Sequence, residues 1–439
     1  MDNLKFGVIN LGCDKNRIDA EIIINSLKRK YELVNDENKA DILLINTCGF
    51  IESSKQESID TILEMAKFKE GNCKVLIATG CLTQRYGKEL LELIPELDII
   101  LGVNDYDKLH QCIENALATG EKSCLTSYSD TNINIGSREV TTGGTTAYLR
   151  ISEGCNNVCA YCAIPKIRGR YRSRDMEDIL KEAKELALNG YKEIILVAQD
   201  TTNYGVDLYG EKTLHVLLRE LGKIKSIKWI RLLYCYAEEL TDAVIEEIAV
   251  NDKVCKYIDI PLQHISDEVL KGMRRKGRRR IIEENINKLR KAVPNITIRT
   301  TFIVGFPGET EENFEELLSF VKETRFDKLG VFTYSQEEGT VAADMENQIE
   351  EEVKVQRMDA IMRTQQLISA EINKNKIGRE YDVLIESKDK GKYVGRNSEM
   401  APEIDGEVYV KGDNLAVGTF VKVKITDAME YDLVGDHVK

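Results

Sequence analysis

Three cysteines within eight residues constrain this chain more than any other feature of it. Cys155, Cys159 and Cys162 are spaced C-x3-C-x2-C inside S-E-G-C-N-N-V-C-A-Y-C-A-I-P-K-I-R-G-R-Y-R-S-R, Ser152 to Arg174. The run A-Y-L-R-I, Ala147 to Ile151, precedes them and reads as a strand. Three thiolates on one short loop cannot all bond to each other, but they can wrap one face of a compact metal cluster. Iron–sulfur cubanes are held by Cys thiolates, normally four, so a set of three leaves one iron open to a small molecule. Structural zinc is the competing reading, yet such a site closes with four ligands and usually recurs as two pairs. No second C-x2-C or H-x3-H occurs, and His110, His215, His264 and His437 are scattered.

At 439 residues the chain can form two or three domains with separate cores. Its start, M-D-N-L-K-F-G-V-I-N, lacks a basic region followed by a long apolar run, so no secretory signal is expected. No apolar stretch approaches the roughly 18 to 20 residues of a membrane span. Eleven Cys in such a chain point to metal or redox work in a reducing cytoplasm rather than to disulfides. The net charge of −13 makes it a poor general nucleic-acid binder, because that affinity comes mostly from Lys and Arg, and a basic protein is an easier guest.

From residue 1 to about 130, one pattern recurs three times: an apolar strand, a small-residue turn closing on Cys, then helical periodicity. The segments are F-G-V-I-N-L-G-C ending at Cys13, D-I-L-L-I-N-T-C ending at Cys48 and K-V-L-I-A-T-G-C ending at Cys81. Helices are expected over residues 16–30, 54–67 and 83–93, and a last strand and helix reach about 118. Alternation of this length predicts a doubly wound parallel sheet with all three Cys at its carboxyl edge, where ligands bind in such sheets. Each alone reads as a small buried hydrophobe; three at equivalent strand ends read as a second cluster site. Cys73, Cys112, Cys124, Cys235 and Cys255 follow no such pattern. A polar stretch rich in Ser, Thr, Asn and Gly, with residues 131–145 as the linker proper, marks a connector.

Over residues 146–373, strands are expected at 193–198, 229–233, 257–261, 297–303 and 328–333, with helices between them. Six parallel strands with crossover helices predict a partial (β/α)6 barrel whose function lies at the strand carboxyl ends. The candidates there are Gln199 with Asp200, Arg231, Gln263 with His264, Arg299, and G-F-P-G-E from Gly305 to Glu309. The guanidiniums could equally be ion-paired structural groups, Gly305 and Gly308 could serve a tight turn, and His264 reads as a hydrogen-bonded structural imidazole. No Ser/His/Asp or paired-carboxylate arrangement is evident, so no acid/base residue is assigned. The dense basic run M-R-R-K-G-R-R-R, Met273 to Arg280, reads as a solvated helix start, with ribosomal RNA contact as the alternative.

A charged helix over 350–373 leads to residues 376–439, whose short alternating runs separated by Gly and Asp/Asn turns predict a small five-stranded antiparallel β-barrel. From Ile377 onward 9 Lys and Arg face 13 Asp and Glu, a balance of −4. That argues against a phosphate partner and for a basic polypeptide.

The Cys155–Cys162 spacing after a first strand, with Tyr161 before the last Cys, resembles the radical S-adenosylmethionine (SAM) enzymes. There the open iron binds SAM, and one electron from the cluster cleaves it to a 5′-deoxyadenosyl radical, chemistry beyond the reach of side chains. The three-part order resembles the methylthiotransferases over essentially the whole chain, an α/β multidomain fold ending in a TRAM barrel. The resemblance implies two 4Fe-4S clusters, with Cys13, Cys48 and Cys81 as auxiliary-cluster ligands and Cys155, Cys159 and Cys162 as SAM-cluster ligands. It also implies one SAM as methyl donor and a second as radical source. Tyr161, Gln199, Arg231, Gln263, Arg299 and Gly305 are the candidate SAM contacts.

The runs Q-D-T-T-N-Y-G-V-D-L-Y-G, Gln199 to Gly210, and E-G-C-N-N-V-C-A-Y-C-A-I-P-K-I-R-G look like one branch of that family. This branch modifies the β-carbon of an aspartate in the twelfth protein of the small ribosomal subunit. Expected with it are a low-potential electron donor, a monomer, and no membrane and no direct tRNA substrate. The alternatives are a tRNA adenosine 2-methylthiotransferase and a non-catalytic iron–sulfur carrier.

Overall fold

The structure is a computed structural model that describes residues 4–389 and 391–438. It divides into two compact units. The first holds the chain up to Thr141 together with Ser152–Arg174 and Ser335–Ala343; the second holds Thr142–Ile151, Asp175–Tyr334 and the chain from Asp344 onward. The three-Cys loop therefore packs with the N-terminal sheet, although it directly follows a strand of the central one.

The first unit contains β1 (Lys5–Asn10), α1 (Asp14–Leu27), β2 (Glu32–Leu33), β3 (Ile42–Thr47), α2 (Glu52–Ala66), β4 (Val75–Gly80), α3 (Cys81–Leu93), β5 (Ile99–Leu101), α4 (Leu109–Thr119) and β6 (Ser123–Leu125). Every pairing is parallel, in the order β2-β1-β3-β4-β5-β6. All six residues of β3 and of β4 are buried, as expected of parallel strands covered on both faces. Ile42 and Leu44 pack with Ile23, Leu27 and Ile113 on one side, while Leu43 and Ile45 pack with Ile62, Leu82 and Leu90 on the other. The sheet is thus doubly wound, with α1 and α4 on one face and α2 and α3 on the opposite face. Its order reverses between β1 and β3, the switch point where such sheets bind ligands. Strands β2 and β6, two and three residues long, lack the apolar run by which the others are legible.

The linker has no helix or strand between residues 131 and 145, but it is not a free connector. The Glu21 carboxylate on α1 pairs with Arg138 and accepts from the Thr141 backbone N–H at 2.7 Å, and the Glu139 N–H donates to the Glu21 carbonyl at 3.1 Å. Asn134 donates to the Val103 carbonyl at 2.7 Å.

The chain continues through β7 (Thr146–Arg150), the short pair β8 (Ser152–Glu153) and β9 (Arg172–Ser173) flanking α5 (Ile164–Arg168), α6 (Met176–Leu188), β10 (Glu193–Val197), α7 (Val206–Tyr209), α8 (Leu214–Gly222), β11 (Trp229–Leu232), α9 (Asp242–Val250), β12 (Val254–Asp259), α10 (Asp267–Gly272), α11 (Arg279–Ala292), β13 (Thr297–Val304), α12 (Glu311–Thr324), β14 (Lys328–Thr333) and α13 (Glu351–Lys374). In the second unit the six strands β7, β10, β11, β12, β13 and β14 lie side by side in chain order, all parallel. Ile194, Leu196, Ile230, Leu232, Ile258, Ile298 and Phe302 join the helices in one apolar core. Because side chains alternate along a strand, Glu193, Arg231, Tyr257 and Arg299 face the other way, into the barrel.

The last strands, β15 (Glu380–Asp389), β16 (Lys392–Asn397), β17 (Val408–Lys411), β18 (Phe420–Ala428) and β19 (Leu433–His437), close a barrel in the order β15-β16-β17-β19-β18. The expectation of a wholly antiparallel barrel is corrected at one seam: β17 and β19 pair in parallel. Directions cannot alternate all the way round a ring of five, so one parallel seam is obligatory. The end of β16 and the loop after it meet the inward-facing residues of the central sheet. Arg396 donates to Glu193 at 2.7 Å, the Ser398 carbonyl accepts from Arg231 at 2.9 Å, and Asp405 accepts from the Tyr257 hydroxyl at 2.8 Å. Burial alone would raise the Glu193 carboxyl, yet the Arg396 and Arg231 guanidiniums hold it down to about 2. Among the described residues no helix is long and apolar enough to cross a membrane.

Candidate functional site

Cys48 and Cys81 stand immediately beyond β3 and β4, and Cys13 just past the turn after β1; these are adjacent strands, so three distant sequence positions meet at the switch point. Two glycines permit the approach. A Cβ at Gly12 would lie 2.8 Å from Cys48 Cβ, and one at Gly49 only 2.6 Å from Leu82 Cα. Cys13 caps α1, where its carbonyl accepts from the Arg17 N–H at 3.0 Å; Cys81 is the first residue of α3. The Ser58 hydroxyl clamps Cys48, accepting from its N–H at 3.0 Å and donating to its carbonyl at 2.9 Å. Beneath the thiols, Asn16 donates to the Thr47 carbonyl at 2.9 Å, and Asn46 to the Asn16 carbonyl at 2.7 Å. Burial pushes the Cys81 thiol up to about 12, Arg168 pulls against it, and Cys13 and Cys48 push the same way as burial. Burial likewise raises Cys48. Metal binding would ionise such thiols outright.

The second trio occupies the loop whose neck is the antiparallel β8/β9 pair. Cys155 and Cys159 are buried and Cys162 is half-buried. The Cys155 sulfur accepts from the Asn157 N–H at 3.4 Å and from its side-chain amide at 3.5 Å, donors suited to a ligating thiolate. Among the described residues no three His, Cys, Asp or Glu close on a point fit for a single metal ion. Cys155 and Cys81 each accept from N–H donors, of Asn157 and of Arg168, a setting that suits the thiolate ligands of a cubane.

Both trios lie in the first unit, and Cys81 packs against Ala163 and Ile167 of the loop. The residue joining them carries no signal in the sequence pattern. Arg168, buried at the end of α5, donates to Asp19 at 2.7 Å, to Asn16 Oδ1 at 2.7 Å, to the Cys81 sulfur at 3.4 Å and to Glu153 at 3.5 Å. Also unforeseen is the strap Ser335–Ala343. Its buried Glu337 meets Lys55 at 3.1 Å and Arg85 at 3.4 Å, the Gly339 carbonyl accepts from Lys166 at 2.6 Å, and the Ala342 N–H donates to the Ala160 carbonyl at 2.8 Å. Charge pattern alone does not reveal which members of R-G-R-Y-R or E-E-G-T are buried.

Of the candidate SAM contacts, Tyr161 lies within the cysteine loop of the first unit. In the second unit, Gln199 follows β10 at the carboxyl edge. Gln263 sits at the same edge with φ +72°, bonded through its backbone to Thr301 and Ile303 at 2.8 Å, and its side-chain Oε1 is buried without a hydrogen-bond partner. Strain at a non-glycine residue and an orphaned acceptor are what an absent amine- or hydroxyl-bearing ligand leaves behind.

The other candidates, Arg231, Arg299 and Gly305, have partners within the protein. Arg231 donates to Glu193 at 2.8 Å, toward the amino ends of the strands, and Arg299 to Asp259 at 2.9 Å. The Gly305 N–H donates to the Glu309 carboxylate at 2.9 Å, which also accepts from Arg357 at 2.8 Å. His264 is structural: its Nδ1 accepts from the Ser266 N–H at 3.0 Å, and burial, then Arg357, push its pKa down to about 3. The basic run is largely satisfied internally, with Arg275, Lys276, Arg279 and Arg280 paired to Glu238, Glu239, Glu283 and Glu284.

Residues 5–102 match the uncharacterized protein family UPF0004, residues 149–321 the radical SAM superfamily and residues 377–438 the TRAM domain. Two solved structures share the fold at low identity. The radical SAM methyltransferase TsrM of Kitasatospora setae has a TM-score of 0.56 at 14% identity, over 75% of this chain and 73% of that one. The cobalamin-dependent SAM radical enzyme OxsB has a TM-score of 0.51 at 15% identity, over 82% of this chain and 56% of that one. Among curated relatives, a ribosomal protein uS12 methylthiotransferase RimO of Clostridium perfringens is 61% identical over 99% of this chain and 98% of its own length. That of Clostridium acetobutylicum is 59% identical over the same shares. With full-length identity at that level, the chain belongs to the RimO family of radical SAM methylthiotransferases.

Proposed function

We propose that this chain transfers a methylthio group to the β-carbon of an aspartate in ribosomal protein uS12, with one SAM as methyl donor and a second as radical source. The observation that carries the reading is the packing of Cys81, from the first trio, onto the loop that holds the second. When bound, two 4Fe-4S clusters and SAM supply the electron transfer and sulfur chemistry. Cys155, Cys159 and Cys162 hold the cluster that meets SAM, and Cys13, Cys48 and Cys81 the auxiliary one. Asn157 directs N–H groups at the Cys155 sulfur, Arg168 steadies Cys81, and Tyr161, Gln199 and Gln263 orient SAM. No side chain is needed as general acid or base.

The reading brings a low-potential electron donor, a monomeric enzyme and a cytoplasmic setting; eleven cysteines, six of them in two metal-ligand patterns, suit a reducing compartment. The −4 balance of the terminal barrel suits a basic polypeptide and disfavours tRNA. The test is a deletion strain: uS12 should lose the mass of one methylthio group while bulk tRNA keeps its own. A methylthio loss on tRNA with uS12 unchanged overturns the assignment.

A further inference from the structure

The chain is acidic overall, and its one dense basic run is largely paired, yet lysines gather elsewhere. An open cleft of about 870 Å³ lies where the amino ends of the central strands meet the terminal barrel. Lys192, Lys225, Lys228, Lys253, Lys256 and Lys422 line it against only Asp252, Glu380 and Asp382, a local balance of +3 in a chain of −13. Most of these ammonium groups are held without being neutralised. Lys192 donates to the Gly418 carbonyl at 2.7 Å, Lys253 to that of Ile224 at 2.5 Å and Lys256 to that of Asn251 at 3.1 Å. Lys228 and Lys422 share the single carboxylate of Asp382, at 3.7 and 3.2 Å. Burial lowers the pKa of Lys253 and of Lys256, a cost that an anion in the cleft would offset.

The lining also says what kind of anion fits. Two of its three aromatic rings are taken: Phe420 meets Trp229 edge-on at 4.6 Å and carries Lys228 over its face at 4.2 Å. Six lysines beside one remaining ring, that of Tyr381, suit phosphates rather than base sequence. It opens at the amino ends of the strands, away from the carboxyl edge that holds Gln199 and Gln263, which fits docking rather than chemistry. The candidate substrate is a ribosomal protein, met either free or embedded in ribosomal RNA.

We propose that this lysine cleft is a docking site for the phosphate backbone of ribosomal RNA, by which the enzyme grips uS12 within the small subunit. The proposal rests on the uS12 reading for its biological partner, but not for the binding itself. The test compares the full-chain holoenzyme with a Lys225→Glu/Lys228→Glu/Lys422→Glu variant, all three positions being exposed. Binding is measured across a salt series to a random-sequence single-stranded RNA oligomer and to purified small subunits, and modification is measured on free uS12.

The wild type should bind both RNA-containing probes. The variant should bind each at least tenfold more weakly, with a salt slope shallower by about two, at roughly 0.7 for each phosphate it no longer neutralises. Modification of free uS12 should not change. The proposal is overturned if the oligomer does not bind the wild type, if the variant binds subunits as well as the wild type does, or if free uS12 suffers equally, which would make the cleft a protein site. Failure of the wild type to modify uS12 in any form, with RNA still held in the cleft, sinks the substrate reading and leaves the cleft standing.

Discussion

Cys155, Cys159 and Cys162 come from one loop eight residues long, whereas Cys13, Cys48 and Cys81 come from the ends of three adjacent strands. The first arrangement is a property of local chain: spacing, a two-strand neck and an Asn that points amides at sulfur. The second exists only once a parallel sheet has formed and Gly12 and Gly49 have let the turns close up. A loop-borne trio should therefore survive damage to the sheet, while a sheet-borne trio should fail with it. Arg168 is where this independence ends, because it rises from the loop and terminates on α1 and Cys81.

The sharpest test of that contrast is Cys155→Ala. Iron should fall by about four per chain, one cubane's complement, and SAM cleavage under dithionite should vanish, while the auxiliary cluster keeps its absorption and EPR signal. Undiminished cleavage would show that the loop does not hold the reactive cluster. Next in size is Arg168→Met, which leaves Asp19 and Glu153 buried without their cation and should cost about 3–5 kcal/mol in urea unfolding. Unlike the first change, it should deplete iron at both trios; loss at one alone would break the link proposed between them.

Gly49→Val is smaller, about 1–3 kcal/mol, since its side chain meets backbone across the turn. Iron analysis should show the auxiliary cluster lost and the SAM cluster kept, and the reverse pattern would invert the comparison. The mildest probe acts on the central sheet. His264 in the folded protein stays neutral down to about pH 3, whereas the unfolded imidazole protonates near 6.5. Its contribution is full above pH 6.5 and shrinks as the pH falls toward 3, by about 1.4 kcal/mol per unit. A His264→Gln variant should flatten that slope between pH 6 and 5, and an unchanged slope would place the proton elsewhere.

What is legible in the sequence follows the same division. The loop trio is visible in spacing alone, and the sheet trio is visible because three apolar runs each end on Cys. Strands β2 and β6 are hidden by their brevity. The ion pairs of Arg231 and Arg299 are not legible, because alternation tells which face a residue takes but not what fills the barrel at that level. The filler, Arg396 through Asp405, arrives more than a hundred residues after Arg231. The partner of Gly305 is equally hidden, because a glycine-rich turn looks alike whether its amides face a ligand or, as here, the carboxylate of Glu309. Gln263 stands at the carboxyl edge, as the end of its apolar run implies, but its strained backbone leaves no mark in the sequence.

The strap has a consequence for how the protein is made. Because Ser335–Ala343 completes the unit that holds both trios, Glu337 and its neighbours leave the ribosome long after Cys162. The strands of the N-terminal sheet are all made by Leu125, yet the unit that holds both trios closes only when the strap has emerged. Cutting the gene at the polar connector would not liberate a self-sufficient front half; it would strand Cys13, Cys48 and Cys81 without the strap and without the loop against which Cys81 packs.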